Sequence, residues 1–417
     1  MINNPPIASF YDNHAFCHRF TSFTLIKIIA VASNRSFNQS AMKKHLGTLT
    51  IFSTILLLSL SSLLTVTAQD NNDAPLRLAV AGLKHGHAPF IFARKGKTDV
   101  NVVGIYEPDT ELAGRYAVKY SLDKQLFYTD LAKMLDAVKP EALAAYGSIF
   151  DHLAAVEACA PRGIHVMVEK PLATNLTQAK RMEQLASQHR IYLLTNYETS
   201  WYPSVAKTLQ LVNDSNFIGH KRKVVVHDGH EGPKEIGVGK EFLDWLTDPV
   251  QNGGGAVVDF GCYGANLMTC LMGDEKPVSV TAVLRNFKPD VYTKVDDEAT
   301  IIVSYPTAQC IIQASWNWPF SRKDMEVYGD SGYIIAVNNQ SMRTKNRQTK
   351  NEQNITVTSK EVAVYEDPFS YFRDVVRGKI SIPKNGLYSL ENNVMVVRIL
   401  EAAKESAKKG QTVMIKY

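Results

Sequence analysis

A short apolar run, Gly163-Ile164-His165-Val166-Met167-Val168, ends abruptly in Glu169-Lys170-Pro171. Apolar runs of this length, rich in β-branched residues, are buried strands, so an acid and a base arrive together at the strand's C-terminal tip. Pro171 donates no backbone hydrogen bond and restricts Lys170 to an extended conformation, which ends the strand there. Ligands of open α/β sheets bind off the carboxyl ends of the strands. Lys170 is therefore a candidate acid, base or substrate clamp. The competing reading is a surface strand end with a solvated ion pair.

A second candidate lies nearer the start. An apolar run leads into Gly82-Leu83-Lys84-His85-Gly86-His87-Ala88-Pro89. A dinucleotide turn wants glycines at its first, third and sixth positions, followed by a helix whose N-terminus holds the pyrophosphate. Gly82 fits the first position. Lys84 and His87 replace the other two glycines, and Gly86 is an extra one. The next apolar run ends in Glu107, about 25 residues beyond Gly82, where a carboxylate grips an adenosine ribose 2′-hydroxyl. Glu107 repels a 2′-phosphate, which favours NAD over NADP, although Lys84 is available to pair with phosphate.

The elements that must position these groups alternate. Leu76–Ala81, Val100–Tyr106, Ala142–Tyr146, Val166–Glu169 and Ile191–Thr195 read as strands. Asp109–Tyr120, Asp130–Val138, Asp151–Arg162 and Leu176–His189 read as helices, with Asp109, Asp130, Asp151 and Asn175 or Thr177 at capping positions. This alternation predicts a doubly wound parallel sheet over residues 75–196. After Asn196 comes one helix, Tyr202–Asn213, and then strand-like segments: Lys221–His227, Val278–Arg285, Ala299–Tyr305, Cys310–Trp316, Asp324–Tyr328, Gly332–Asn338 and Ile355–Val364. Helices around Ala265–Met272 and over Gly386–Lys409 interrupt them. Residues 197–417 are thus expected as an α+β domain with a mostly antiparallel sheet, and a ligand cleft between the domains. The whole reads as α/β.

Residues 1–68 are set apart as an upstream extension and a secretory signal peptide. Met42-Lys43-Lys44, a long uncharged stretch rich in Leu, Ile, Ser and Thr, and Val66-Thr67-Ala68 supply its basic, apolar and small-residue parts, which also points to Met42 as the start. The expectation is an exported, periplasmic protein; the alternative is an uncleaved membrane anchor. Of 46 basic and 41 acidic residues, five and one fall in residues 1–68, so the remainder is close to neutral. Such a surface gives no reason to expect nucleic acid or an anionic membrane as partner. Cys159, Cys262, Cys270 and Cys310 lie in apolar runs and read as buried free thiols. Beyond residue 68 no two-plus-two cysteine or His-x-x-x-His spacing suggests a structural metal, and the tight His and acid residues of His227–Glu231 read as a solvated turn rather than a metal site.

The turn at Gly82, Glu107, His152, Glu169-Lys170-Pro171 and the segment Gly253-Gly254-Gly255-Ala256-Val257-Val258-Asp259-Phe260-Gly261-Cys262-Tyr263 together resemble the glucose–fructose oxidoreductase / inositol dehydrogenase / MocA family over nearly all of residues 76–417. The resemblance implies a Rossmann-type NAD(P)-binding domain and a C-terminal domain with a large open sheet used for homo-oligomer contacts. It implies redox chemistry at a sugar or cyclitol hydroxyl. By motif, Lys170 matches the lysine that contacts nicotinamide and the reacting oxygen, and Asp259 the substrate-binding aspartate. Tyr263 stands where many members have histidine, as in the glucose–fructose oxidoreductase branch. His152 matches a histidine near the nicotinamide, and Tyr146-Gly147-Ser148 replaces the commoner Thr-Pro turn.

Oxidation of a carbinol needs a base for the hydroxyl proton. Tyr263 serves if Lys170 lowers its pKa; alternatively Lys170 is itself the base, and Asp259 orients it or grips a hydroxyl. Without the motif, Tyr263 is a half-buried aromatic and Asp259 a helix cap. Tyr197 and Glu198 at the domain junction, His230 in His227-Asp228-Gly229-His230-Glu231, and Trp316 as a stacking platform or sheet packing are the candidate substrate contacts. The lead expectation is a periplasmic NAD-dependent sugar or polyol oxidoreductase with tightly bound cofactor. A glycoside-cleaving enzyme using transient oxidation and a non-catalytic NAD or sugar sensor are the alternatives.

Overall fold

The computed structural model describes residues 73–213 and 216–417; residues 1–68, expected as an upstream extension and signal peptide, lie outside them. The apolar runs of the first half form six parallel strands: β1 (Leu76–Ala81), β2 (Val100–Tyr106), β3 (Phe127–Tyr128), β4 (Ala142–Ala145), β5 (His165–Glu169) and β6 (Leu193–Asn196), in the order β3-β2-β1-β4-β5-β6. The order reverses between β1 and β4, the switch point at which doubly wound sheets bind ligands. Helices α1 (Pro89–Phe92), α2 (Thr110–Tyr120), α3 (Leu131–Val138), α4 (His152–Cys159) and α5 (Leu176–His189) connect the strands. Asp109, Asp130 and Asn175 cap α2, α3 and α5 through their side chains. Asp151 does not cap α4; a 3-10 turn precedes that helix, and the Asp151 carboxylate instead accepts from the Ser148 backbone N–H and hydroxyl. The helix after the glycine turn is a single turn, α1, and β3 is too short to show alternation in sequence.

The second half is built on nine strands: β7 (Lys221–Gly229), β8 (Ser279–Arg285), β9 (Glu298–Ser304), β10 (Gln309–Ser315), β11 (Arg322–Gly329), β12 (Gly332–Ala336), β13 (Ser341–Asn346), β14 (Gln353–Thr356) and β15 (Val413–Met414). Their order is β14-β13-β12-β11-β7-β10-β9-β8-β15, antiparallel everywhere except between β7 and β10. Strict alternation of buried and half-exposed residues along β9 and β10 shows one face turned to the core. With the strands run α6 (Pro203–Asn213), α7 (Lys240–Leu246), α8 (Ala256–Asp259), α9 (Gly261–Met272), α10 (Ser359–Val362), α11 (Pro368–Val376) and α12 (Leu390–Lys409). The strand expected over Ile355–Val364 stops at Thr356, because Thr358 and Glu361 form a capping box that starts α10. Strand β13 and helices α7 and α11 were not expected.

Helix α12 ties both sheets together. Val394 and Val397 sit in the core on one face of the parallel sheet, while Val396, Ile399, Leu400 and Ala403 belong to the larger core that runs from the sheet's other face under the second sheet. Among the described residues no helix is long and apolar enough to cross a membrane. The four cysteines among the described residues are free; Cys159, Cys262 and Cys310 are buried and Cys270 is half-buried.

Candidate active site

The glycine turn leaves β1 beside the turn after β4. Gly82 has φ +83°, and an added Cβ would lie 2.7 Å from the Gly147 nitrogen, so this position demands glycine. The cleft that opens here is lined by Gly82, Lys84, Glu107, Gly147, Asp151 and His152, among others. Glu107 is buried, and its carboxylate accepts backbone N–H groups from Leu83 at 2.8 Å and Asp109 at 3.0 Å. Burial raises the Glu107 carboxyl from its ordinary range. The acid therefore shapes the turn as well as facing the cleft, and its remaining lone pairs suit a ribose hydroxyl.

His152 donates from Nδ1 to the Leu172 carbonyl at 3.1 Å, propping the turn that carries Lys170. Tyr146 lends its carbonyl to His85 N–H at 3.0 Å, but its ring is packed in the core. Gly86 is exposed and lies next to the Phe242 ring of α7.

At the tip of β5 the acid and base part company. Glu169 accepts from Asn196 Nδ2 at 2.8 Å and pairs with His87 Nδ1 at 3.0 Å. Burial alone would raise its carboxyl, but the imidazoles of His87 and His85 and these hydrogen bonds hold it down to about 2. Lys170 turns the other way. Its Nζ donates to Asp259 Oδ1 at 2.5 Å and to the Asp259 carbonyl at 2.9 Å, and both side chains are buried. Burial opposes its charge, yet the Asp259 carboxylate holds the ammonium above the ordinary lysine range.

Asp259 ends α8, whose start is fixed by Asp296: that carboxylate accepts Gly255 N–H at 2.9 Å and Val257 N–H at 2.7 Å. A Cβ on Gly255 would fall 1.8 Å from the Asp296 carbonyl oxygen. The glycines of the motif thus let one strand end press against the helix that carries Asp259.

Tyr263 is fully buried on α9 with Lys170 Nζ 5.1 Å and Lys323 Nζ 4.8 Å from its ring centroid. The expected phenolate is not what the site supports. Burial pushes the Tyr263 phenol well up, with the Glu198 carboxylate adding to it, and the ammoniums lie over the ring. Trp316 is also no exposed platform. It is wholly buried, and its Nε1 donates to Asp259 Oδ2 at 3.0 Å, orienting the carboxylate from the side opposite Lys170. Tyr197 is buried and packs edge-on against Tyr263, 5.4 Å between centroids, so it supports that ring from behind.

Glu198 reaches the pocket through an ion pair with Lys323 and accepts from the Tyr202 hydroxyl at 2.7 Å. His230 stands edge-on to Phe260, its Nδ1 accepting Gly232 N–H at 2.8 Å; burial lowers its pKa, leaving a neutral ring with Nε2–H as donor. Lys323 and Tyr202 were missed in the sequence, since no motif surrounds them, and Asp228 was passed over within His227–Glu231 in favour of His230. Two groups, His85–His87–Glu169 and His227–Asp324–Glu326, bring possible ligand atoms within 4.8 Å of one another. In the first, hydrogen bonds from Asn196 and His87 already engage the carboxylate; in the second, Arg322 pairs with Asp324.

The chain matches two family models: the NAD-binding Rossmann fold of an oxidoreductase family over residues 76–197 and the GFO/IDH/MocA C-terminal domain over residues 206–335. A trans-1,2-dihydrobenzene-1,2-diol dehydrogenase of Xenopus laevis is 30% identical over 242 residues, 57% of this chain and 67% of that protein. Its Bos taurus counterpart is 29% identical over 213 residues, 50% of this chain and 58% of that protein, so the match spans little more than half the bovine relative. The fold is shared with an aldose-aldose oxidoreductase of Caulobacter crescentus (TM-score 0.67, 21% identity, covering 82% of this chain and 99% of that one). It is also shared with an inositol dehydrogenase homolog of Azotobacter vinelandii complexed with NAD+ (TM-score 0.70, 17% identity, 82% and 98%). With the switch-point cleft, the Lys170–Asp259 pair and both domain models in register, the chain belongs to the GFO/IDH/MocA oxidoreductase family.

Proposed function

We propose that this protein is an NAD-dependent oxidoreductase acting on a sugar or sugar-derived polyol. The observation that carries the reading is the buried Lys170–Asp259 pair, its lysine two residues from Leu172, whose carbonyl is hydrogen-bonded by His152 of the dinucleotide-type cleft. A bound nicotinamide would supply the hydride acceptor or donor. Gly82, Lys84, Glu107 and Gly147 would hold the nucleotide, and the residues around Lys170 would hold the substrate.

The charged ammonium of Lys170 suits the reduction direction, where it hydrogen-bonds a carbonyl oxygen and then donates the proton. For oxidation, Lys170 must first lose a proton, and Asp259 steadies the ammonium that re-forms. Tyr263 and His230 act as neutral hydrogen-bond donors to substrate oxygens. The region next to Lys84 favours NAD over NADP: Asp109, Asp151, Glu241, Asp244 and Asp248 line it and repel a further phosphate.

Export and a retained cofactor are part of the same proposal. Free NAD is scarce outside the cytoplasm, and a strap around α7 lies over the glycine turn. Phe242 and Trp245 pack 5.0 and 5.6 Å from the His85 ring, and Gln251 accepts from Ser148 Oγ at 2.6 Å. Mass spectrometry of nucleotide released on denaturing the purified protein tests the reading. Bound NAD(H) is expected, and Lys170→Met is expected to lower kcat about 10²- to 10⁴-fold in sugar oxidation. No released nucleotide, with no binding on adding NAD or NADP, would sink it.

A further inference from the structure

One acid in the pocket has no part in the mechanism above. Asp228, near the end of β7, is 1% exposed, and neither carboxylate oxygen has a hydrogen-bond partner. An ionised carboxylate left so would forfeit its hydration without compensation. The charged groups around it are Lys323, Lys170, Glu198 and Asp259. They already balance in pairs, Lys170 with Asp259 and Lys323 with Glu198. Burial therefore decides the matter and raises the Asp228 carboxyl well above the ordinary range.

A small cavity beside it is lined by Thr199, Tyr202, Asp228 and Lys323, among others. A neutral carboxyl presents one donor and one acceptor side by side, the complement of an alcohol. At about 10 Å³ the cavity has room for one hydroxyl; a charged group would find no unpaired ion there, whereas a hydroxyl finds a donor and an acceptor.

We propose that Asp228 is a specificity-determining residue, a carboxylic acid that recognises a second hydroxyl of a neutral polyol while the reacting carbinol sits at Lys170. The proposal rests on the redox reading for the placement of that carbinol, and on the buried, unpartnered carboxyl for the rest.

Two measurements on the full chain test it. Infrared difference spectra between the protein and its Asp228→Asn variant at neutral pH should show the C=O stretch of a protonated carboxylic acid in the former alone. Titration with D-glucose, myo-inositol and their monodeoxy analogues, followed by tryptophan fluorescence, should show one deoxy analogue binding about ten- to a hundred-fold more weakly than its parent. Asp228→Asn, which keeps a donor and an acceptor, should bind the parent within about threefold of the unaltered protein. Asp228→Leu should lose the same factor as the deoxygenation and cease to distinguish the pair. An ionised Asp228, undiminished discrimination in Asp228→Leu, or failure of every polyol to bind overturns the proposal. Failure of the redox reading shows separately, as the absence of bound nucleotide.

Discussion

Lys170 owes its charge to one neighbour. Burial opposes the ammonium and the Asp259 carboxylate outweighs it, so Asp259→Asn leaves the desolvation unopposed and the Lys170 pKa falls. Oxidation needs Lys170 neutral before it can take the hydroxyl proton. The rise of kcat/KM with pH for sugar oxidation is therefore expected to move to lower pH in Asp259→Asn, with a lower plateau because the re-formed ammonium has lost its partner. A profile that stays in place would show that another group takes the proton. At this scale the motif made Lys170, Asp259 and Tyr263 legible, but it did not disclose their states. Whether Tyr263 is phenol or phenolate depends on burial and on Glu198, which comes from a distant segment. The role of Trp316 was hidden for the same reason: its bond to Asp259 spans 57 residues, and an indole in a strand reads as packing until its N–H is placed.

Elements were legible where period and punctuation agreed. Strands β1, β4 and β5 are buried almost throughout, β1 and β2 run into Gly82 and Glu107 and β5 ends on Glu169, and α2, α3 and α5 carry their capping residues in the sequence. The single turn α1, the two-residue β3 and the short α7 offer too few residues for a period to show, whereas α11 carries a capping Asp367 and a first-turn Pro368 that the sequence reading passed over. The glycine turn combines both cases. Its first glycine is demanded by φ +83° and by the approach of Gly147, whereas Lys84 and His87 stand where a fingerprint wants glycine. Gly82→Ala is expected to destabilise the fold by about 1–3 kcal/mol and to weaken NAD binding, because relief of the clash must push β1 and β4 apart at the switch point. Thermal denaturation with an NAD titration checks it; an unchanged Tm and unchanged affinity would refute the reading.

For the whole molecule, the parallel and mixed sheets were legible as two successive textures in the sequence, while the way they are joined was not. The amphipathic period of α12 shows that the helix is buried on one side, but not that its residues serve two cores. Val394 and Val397 pack on one face of the parallel sheet, and Val396, Ile399, Leu400 and Ala403 in the core that its other face shares with the mixed sheet. A helix shared in this way makes the two cores unfold together, since melting either removes part of the other's covering. Substituting the deeply buried Val397, 2% exposed, by alanine leaves a cavity beside the parallel sheet and should cost about 2 kcal/mol. The effect should appear as a downward shift of one unfolding transition, monitored alike by calorimetry and by circular dichroism. A second transition, with the mixed sheet melting at its original temperature, would mean that α12 does not couple the cores. The same coupling bears on function: Lys170 comes from the parallel sheet and Asp259 from the other half, so the pair survives only while both cores are intact. Loss of sugar oxidation on heating Val397→Ala should therefore track the single transition rather than precede it.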